Sequence, residues 1–423
     1  MISLFDIDAR LVARADKAEE QLRGVFAEIE EIAAYNQQKV LKAFIDNKIS
    51  DRHFQSTTGY GYGDEGRDTL DKVFAQAMGA EDALVRHSIL SGTHALGIAL
   101  FGLLRPGDTL LAATGAPYDT LEEVIGIRES DGSLKEFGVN YTQVELNAQQ
   151  LPDLPAIAKA VEEDESVRVV HIQRSRGYNL RPSLTVEQIE EICTTVKQKR
   201  PDVWVFVDNC YGEFVQKTEP CQHGADLMAG SLIKNAGGGL AANGGYICGR
   251  ADLVEKCSYR MTTPGLGREI GATLGQNRSL YMGLFYAPHT VSQALKTAAF
   301  CAALFGDMGF DVSPKATDRR ADIIQTLRFG SADPLVSFCQ GMQRGAPVDS
   351  YVVPEPWDMP GYDSQVIMAA GAFTGGSSIE LSADAPLREP YAAYMQGGLI
   401  YETGKIGVLL AAQKMLEDGY LPL

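Results

Sequence analysis

The sequence lacks the features that would assign it to nucleic acid or membrane. Its 423 residues hold 38 Lys and Arg against 55 Asp and Glu, a formal net charge of −17, and the basic residues are scattered. Binding to a phosphate backbone needs clustered Lys and Arg, so no nucleic-acid partner is expected. No stretch approaches the roughly 20 consecutive apolar residues of a membrane span, so no membrane association is expected either.

Cysteine and histidine are also sparse. The seven cysteines occur singly, without a C-x-x-C pair, which argues against a disulfide framework or a zinc module. Only six histidines are present, and we expect no metal site. The motifs G-x-G-x-x-G and G-x-x-x-x-G-K-[ST] are absent, so neither a dinucleotide fold nor a P-loop is indicated. The first residues, MISLFDIDAR, lack the basic and apolar segments of a secretory signal, and a cytoplasmic location is expected.

Short apolar runs alternate with helical patterns from about residue 80 onward. The runs that predict buried strands are 83–87, 109–113, 167–172, 203–208, 226–232 and 244–249. Between them, segments such as 185–199 place apolar residues at helical spacing. This alternation predicts the α/β class, with a largely parallel sheet covered on both faces.

Three parts of the chain differ in pattern. Residues 1–60 are predicted to form an N-terminal helical segment, with an amphipathic helix over 11–46. Residues 61–305 are predicted to form the large α/β domain. Residues 306–423, with mixed short elements and many Pro and Gly, are predicted to form a smaller α+β domain.

Residues with useful chemistry fall where predicted strands end, the edge at which α/β sheets bind ligands. Ser91, Gly92 and Thr93 open a helix, whose free amides can bind phosphate, although an ordinary Ser or Thr N-cap is the better explanation of an isolated S-G-T. Asp208 ends an apolar strand, where an acid is costly unless a cation or strong donor meets it; a turn-starting Asp is the alternative. Lys234 lies at the next predicted strand end.

A phosphate cradle, a buried acid and a lysine together predict pyridoxal 5′-phosphate as the cofactor. The lysine would form a Schiff base with the aldehyde, and the acid would keep the pyridine nitrogen protonated. Burial is expected to lower the pKa of Lys234, so that its amine serves as nucleophile and later as general base.

Two further strand ends supply candidate side chains. Tyr118 is predicted to stack on the cofactor ring and to move a proton, unless it is a half-buried turn tyrosine. Gln173, Arg174, Arg176 and Asn179 are candidate donors to the ring hydroxyl or to a substrate carboxylate, and two of these four are expected to be plain surface residues.

Several motifs carry a resemblance to a known family. The chain contains, in order, YGYGDEGRD, VRHSILSGTHA, QRSRGY, VFVDNCYGEF, HGADLMAGSLIKNAGG and SIELSADAPLREPY. It resembles fold-type I enzymes of the cystathionine and methionine lyase group, most closely a bacterial methionine γ-lyase-like subgroup, also described as aluminium-resistance proteins or cystathionine β-lyases. The likeness spans nearly the whole chain. It implies a mostly parallel seven-stranded sheet in the large domain and a smaller α+β C-terminal domain.

The resemblance implies roles position by position. Lys234 would be the cofactor lysine, Asp208 the pyridinium partner and Tyr118 the stacking residue. The remaining cofactor contacts would come from Ser91, Gly92, Thr93, Cys210, Ser231, Tyr60 and Tyr62. In that group a tyrosine from a neighbouring subunit reaches the phosphate, which would place Tyr60 or Tyr62 in a site shared within a homodimer, unless both belong to a plain surface loop. A homotetramer is implied as well.

Two positions depart from the group's pattern. Glu380 stands where an arginine would bind the substrate carboxylate, so Arg388 is the first substitute, Arg176 the second, and Gln173 a further candidate. Ile233 replaces a hydroxyl residue that often precedes the lysine.

The resemblance implies a carbon–sulfur lyase of amino-acid metabolism. It would act on cystathionine, cysteine or methionine by β- or γ-elimination and release a thiol, ammonia and an α-keto acid. Aminotransferase-like or threonine-aldolase-like chemistry on the same cofactor is the alternative, because fold alone does not fix the reaction. A non-catalytic metal-tolerance scaffold is a third reading.

Overall fold

Helices and strands alternate through most of the chain in the computed structural model, which describes residues 4–359 and 364–421. The α-helices are α1 (Ala9–Asp46), α2 (Glu65–Met78), α3 (Gly92–Leu103), α4 (Asp119–Ile125), α5 (Leu154–Glu163), α6 (Val186–Lys199), α7 (Ala251–Met261), α8 (Asn277–Asp307), α9 (Ala332–Arg344) and α10 (Tyr401–Glu417). The strands are β1 (Asp82–Arg86), β2 (Thr109–Ala112), β3 (Asn140–Gln143), β4 (Val167–Gln173), β5 (Trp204–Asp208), β6 (Leu227–Ser231), β7 (Gly245–Gly249), β8 (Asp311–Ser313), β9 (Gln325–Arg328), β10 (Val366–Ala369), β11 (Ser382–Pro386) and β12 (Ala392–Gln396).

The chain divides into two compact units. The large unit comprises Tyr35–Ala287, and the small unit combines the residues up to Ala34 with those from Pro288 onward. Each unit is a set of residues that contact one another more than they contact the rest of the chain. The predicted domain boundaries at residues 60 and 305 are not tested by this division and stay a prediction.

The large unit is built on a seven-stranded sheet in the order β1-β7-β6-β5-β4-β2-β3. The pairs β2–β3, β2–β4, β4–β5 and β5–β6 are parallel, while β7 is antiparallel to β6 and to β1. The predicted α/β class and mostly parallel sheet are therefore confirmed. Strand β3, with the sequence NYTQ, was not predicted because this largely exposed edge strand has no apolar run.

Apolar side chains of the sheet and of α3 and α7 form one core of the large unit. Leu227 and Ala229 of β6 and Ile247 of β7 belong to it, and all three are fully buried. Burial of a side chain as large as that of Leu227 or Ile247 contributes roughly 1.5–3 kcal/mol. This packing fixes the strand ends that carry the polar residues described below.

The small unit contains a five-stranded antiparallel sheet in the order β10-β11-β12-β9-β8. Helices α9 and α10 pack together beside it, and their apolar faces share a core with the first turns of α1. The late part of the chain is thus α+β, as predicted.

Within residues 4–359 and 364–421, none of the helices is long and apolar enough to cross a membrane. In the same ranges, no group of three or more His, Cys, Asp or Glu side chains is placed to hold a metal ion.

Candidate active site at the carboxyl edge of the large sheet

Lys234 lies just beyond β6, in front of the short 3-10 turn Asn235–Gly237. The glycines that follow allow this turn to pack closely on α8. Gly238 has a φ of 56°, and a Cβ atom there would lie 2.3 Å from the Gly283 carbonyl oxygen. Glycine is therefore required for the close approach, which fixes the backbone beside the lysine.

Lys234 is half-buried, and its amine lies among groups that favour its charged form. Its Nζ lies 4.0 Å from the centre of the Tyr211 ring. Burial acts to lower the pKa of Lys234, but neighbouring Cys210, Tyr211 and Asp208 outweigh burial and raise it above that of an ordinary lysine. The predicted lowering was wrong, because it counted burial and omitted these neighbours.

Asp208 ends β5 with 6 % of its surface exposed. The backbone amide of Cys210 donates to its Oδ1 at 3.1 Å. Within the described part of the chain, no cation forms a salt bridge with this carboxylate under a 4.0 Å limit. A buried carboxylate with an amide donor and no cation is suited to receive a charged N–H group from a ligand.

The neighbouring strand β4 places Gln173 beside Asp208 in register. The Gln173 side chain donates from Nε2 to the Ser175 carbonyl at 3.2 Å, while its Oε1 is buried and has no hydrogen-bond partner in the described ranges. Two residues earlier, burial lowers the pKa of His171 to about 4 despite the opposing charge of Asp208. His171 is therefore uncharged at neutral pH.

Helix α3 begins at the same edge of the sheet. Ser91 caps it, with its Oγ accepting from the His94 amide at 3.0 Å. A Cβ atom on Gly92 would lie 3.2 Å from Cys210 Sγ and 3.4 Å from Ser231 Cβ. The structure thus brings the helix start, Cys210 and Ser231 together. The capping role of Ser91 is observed, and phosphate binding at this helix start stays a prediction.

Tyr118 immediately precedes α4 and is near this helix start. Thr93 Oγ1 and Thr120 Oγ1 lie 2.7 Å apart, which links the beginnings of α3 and α4. The Tyr118 ring lies 5.8 Å from the Tyr178 ring, and its Cδ2 is 3.1 Å from where a Gly177 Cβ would be. Tyr118 therefore contacts the loop that follows β4.

The four candidate donors of that loop differ from expectation. Only Asn179 is exposed, whereas Gln173, Arg174 and Arg176 are all buried. The expectation of two surface residues was wrong. Arg174 turns to a polar cluster and donates to Asn209 Oδ1 at 2.7 Å.

Tyr60 and Tyr62 lie at the surface, 71 % and 61 % exposed, with ring centres 5.6 Å apart. The Gly271 amide donates to the Tyr60 carbonyl at 2.8 Å. Gly61 between the tyrosines has a φ of 64°, and a Cβ there would lie 2.7 Å from Ala272 Cα. The two rings are thus presented outward on an anchored backbone.

The candidate substrate arginine and Glu380 belong to the small unit. Arg388 is exposed, just past the end of β11. Glu380 is buried, and its two oxygens accept from the amides of Phe373 at 2.8 Å and Thr374 at 2.9 Å. Glu380 therefore fixes a loop of its own unit.

Sequence reasoning assigned no role to Tyr211, Glu213 or Asn235. Asn235 Nδ2 donates to the carbonyls of Tyr211 at 2.9 Å and Glu213 at 3.1 Å, which ties the lysine turn to the loop after β5. Two features of the sequence could have drawn attention to them: the acid Glu213 within the stretch CYGEF, and the polar Asn235 directly after Lys234.

Residues of this edge fit pyridoxal 5′-phosphate by their chemistry. Asp208 offers a carboxylate without a salt bridge in the described ranges, Gln173 an amide oxygen without a hydrogen-bond partner there, and Lys234 a primary amine. Ser231 and the start of α3, at Gly92, offer the hydroxyl and amide donors that a phosphate needs.

Comparison with known proteins gives three findings. A family model described as methionine gamma-lyase matches residues 11–416. The uncharacterized Bacillus subtilis protein YnbB is 50 % identical over 405 residues, covering 95 % of this chain and 96 % of that protein. A crystal structure from Clostridium novyi NT, described as a carbon-sulfur lyase involved in aluminum resistance, is 52 % identical with a TM-score of 0.94, covering 97 % and 96 % of the two chains.

A distant relative supports the fold alone. The pyridoxal-5′-phosphate-dependent protein YhfS of Escherichia coli is 17 % identical, with a TM-score of 0.64 over 92 % of this chain and 97 % of that one. The architecture is thus that of fold-type I proteins.

Proposed function

Because the chain belongs to the methionine gamma-lyase family, we propose that it is a pyridoxal 5′-phosphate-dependent carbon–sulfur lyase acting on a sulfur-containing amino acid. Cystathionine, cysteine and methionine are the proposed substrates, and the products would be a thiol, ammonia and an α-keto acid. The description of the Clostridium novyi structure as a carbon-sulfur lyase supports the reaction class.

One observation carries the proposal: a half-buried lysine and a buried carboxylate that has no salt bridge in the described ranges lie at the ends of adjacent strands of one sheet. Lys234 follows β6 and Asp208 ends β5, and these strands pair in parallel. The bound cofactor supplies an electron sink that stabilises negative charge on the substrate α-carbon. Asp208 would hold the ring nitrogen in its protonated form, and Lys234 would hold the cofactor aldehyde.

The remaining residues of the edge would bind and orient. The amides at the start of α3, from Gly92 and Thr93, and the hydroxyl of Ser231 would hold the phosphate, with Ser91 fixing the helix start and Cys210 packed against Gly92. Tyr118 would lie on the ring face.

Proton transfer is assigned to Lys234. Its raised pKa means that the free amine rests as an ammonium, so it gives up a proton when it becomes attached to the cofactor. Once released by the substrate amine, it would take the α-proton as general base. γ-Elimination needs a second proton removal at the β-carbon, for which Lys234 or Tyr118 would serve.

We propose Arg388 as the group that binds the substrate carboxylate, ahead of Arg176, with Gln173 as a donor to the substrate or the ring hydroxyl. The exposed guanidinium of Arg388 supports this order, since a planar fork in solvent meets a carboxylate in two hydrogen bonds. Burial of Arg176 places it inside the large unit.

The proposed assembly is a homodimer with shared sites, and a homotetramer built from it. The outward presentation of Tyr60 and Tyr62 supports a role for one of them toward the cofactor phosphate of a second copy. Mixing a K234A chain with a Y60F/Y62F chain tests this, because only a shared site regains activity in the mixed dimer.

The decisive experiment incubates purified protein loaded with pyridoxal 5′-phosphate with cystathionine, cysteine and methionine in turn. We expect thiol and α-keto acid from at least one of them, and from none with K234A, which also loses the visible absorption of covalently held cofactor. Amino-group exchange with an added keto acid, or glycine plus an aldehyde, would instead indicate aminotransferase or aldolase chemistry.

The non-catalytic scaffold has its own outcome. A protein that stays colourless after exposure to the cofactor would contradict the proposed function. Unchanged metal tolerance in cells carrying only K234A would then favour the scaffold.

A further inference from the structure

A buried polar cluster lies beneath the lysine turn, formed by Arg174, Asn209, Glu213, Gln216, Glu219 and Tyr246. It contains two fully buried carboxylates, Glu213 and Glu219, and the guanidinium of Arg174. Asn235 connects the cluster to Lys234 through its hydrogen bond to the Glu213 carbonyl.

The guanidinium is directed at one of the two acids. Arg174 Nη1 lies 3.4 Å from Glu219 Oε2, and its Nη2 donates to Gln216 Oε1 at 3.1 Å. Glu219 also accepts from the Phe214 amide at 2.8 Å. Glu219 therefore has both a cation and a backbone amide as partners.

Glu213 has no such compensation. Its Oε1 accepts from the Tyr246 hydroxyl at 2.8 Å, and its Oε2 is buried without a hydrogen-bond partner in the described ranges. The titratable groups that face it are Tyr246 and Cys248 on β7, Cys210 and Glu219 in the same loop, and Lys234 beyond β6. Of these, Glu219 repels a second negative charge and Lys234 attracts one.

Gly230 makes room for the hydrogen-bonded side chains of Glu213 and Tyr246. A Cβ atom on Gly230 would lie 2.7 Å from Glu213 Oε1 and 2.8 Å from the Tyr246 hydroxyl, so only glycine fits there. The loop 211–214 is strained, because its non-glycine residues Tyr211 and Phe214 have φ values of 71° and 61°. Surrounding contacts must hold such a loop in place, and Tyr211 within it lies under the lysine amine.

We propose that Glu213 is a positioning residue of the lysine site that works as a neutral acid: with Tyr246 and Asn235 it holds the strained loop 211–214 so that Tyr211 stays under Lys234. Ionisation of Glu213 puts a second anion beside Glu219 and loosens this support. The inference rests on the proposed function for its cofactor readout and not for its stability readout.

The stability readout follows from linkage. Burial raises the pKa of Glu213 from 4.5 to about 8. The folded state thus keeps a proton that the unfolded chain releases, and this contribution to stability is full below about pH 4.5 and lost as pH rises to about 8. E213Q is neutral at every pH, so its Tm relative to wild type should climb steadily between pH 5 and pH 8.

Glu219→Gln is the matched control. It removes the charge that Arg174 faces, so it should be less stable than wild type throughout the same range. A Tm difference between E213Q and wild type that is constant with pH, or one that falls as pH rises, overturns the proposal, because either shows that Glu213 is ionised in the folded protein.

The second readout is affinity for pyridoxal 5′-phosphate, followed by visible absorption from pH 6 to pH 10. E213A should bind on the order of tenfold more weakly at every pH, because supporting residues commonly contribute at least that much to a site. E213Q should match wild type at pH 7 and exceed it above pH 9. Equal binding by E213A and wild type would remove the positioning role.

The Tm series and the cofactor affinity together distinguish failure of the proposed function from failure of the inference about Glu213. If wild type takes up no cofactor, the proposed function fails, while the Tm series still decides the charge state of Glu213. If cofactor binds and the E213Q curve runs parallel to wild type in both series, the inference alone fails.

Discussion

Two buried aspartates at opposite ends of the large sheet differ in one respect. Asp208 at the carboxyl end of β5 and Asp226 just before β6 are each 6 % exposed. Asp226 accepts from the Val205 amide at 2.8 Å and pairs with Lys197 at 2.7 Å and Arg250 at 3.2 Å. Asp208 has an amide donor, and in the described ranges no cation forms a salt bridge with it, although Lys234 is near enough to feel its charge.

Because Asp208 and Asp226 are equally buried, burial alone does not distinguish a functional acid from a structural one. A carboxylate removed from water is costly unless charges or donors replace the water. Asp226 is compensated within the protein, so its charge serves the fold. Asp208 has only nearby Lys234 as a partial counter-charge, so a ligand with a charged N–H group would complete its partners, and this difference supports the proposed active edge of the sheet.

The largest expected effect is that of D208N. It keeps the shape of the side chain and removes the charge that would hold the ring nitrogen protonated, so kcat/KM for the lyase reaction should fall on the order of a hundredfold or more. Thermal stability should fall less than in D226N, because D208N breaks no salt bridge of the described ranges and removes only a weaker interaction with Lys234. Steady-state kinetics and a melting curve measure both.

D226N is the matched control and should give the opposite pattern. It weakens two ion pairs and should lower the free energy of unfolding by about 1–3 kcal/mol, while kcat/KM stays within about twofold. If D208N destabilises the protein and D226N impairs turnover, the assignment of the two sheet ends is wrong.

A smaller effect is expected from R388A. An exposed arginine that meets the substrate carboxylate supplies charge-assisted hydrogen bonds worth about 1.5–3 kcal/mol, so KM should rise about tenfold or more with kcat largely retained. R388K should recover only part of this, because lysine lacks the planar fork. An unchanged KM in R388A would move the role to Arg176.

Much of the fold and the site could be predicted from the sequence. Apolar runs predicted β1, β2, β4, β5, β6 and β7 of the large sheet, and polar residues at strand ends led to the prediction of Asp208, Lys234 and the start of α3 as site residues. Strand β3 was missed because its side chains face solvent. The raised pKa of Lys234 was missed because it depends on its neighbours, first Cys210 and then Tyr211, which a loop with left-handed backbone brings close to the lysine. Neither the positive φ of Tyr211 nor its contact with Lys234 produces a periodic pattern in the sequence.

Glu380 extends the comparison to the five-stranded sheet and gives the smallest expected effect. Like Asp226 it is a compensated acid, with each oxygen accepting from one backbone amide. E380Q keeps one acceptor and sets an NH2 group against the other amide, so the free energy of unfolding should fall by about 1–2 kcal/mol. Cofactor affinity and KM should not change, because this charge serves the loop.

Glu389→Gln is the control for E380Q, since Glu389 is exposed in the turn after β11 and its change should alter stability by less than about 0.5 kcal/mol. A rise in KM with E380Q, at unchanged stability, would show that Glu380 acts on substrate as the arginine it replaces would. In that case compensation by backbone amides would not distinguish structural acids from functional ones, and the contrast between Asp208 and Asp226 would lose its general basis.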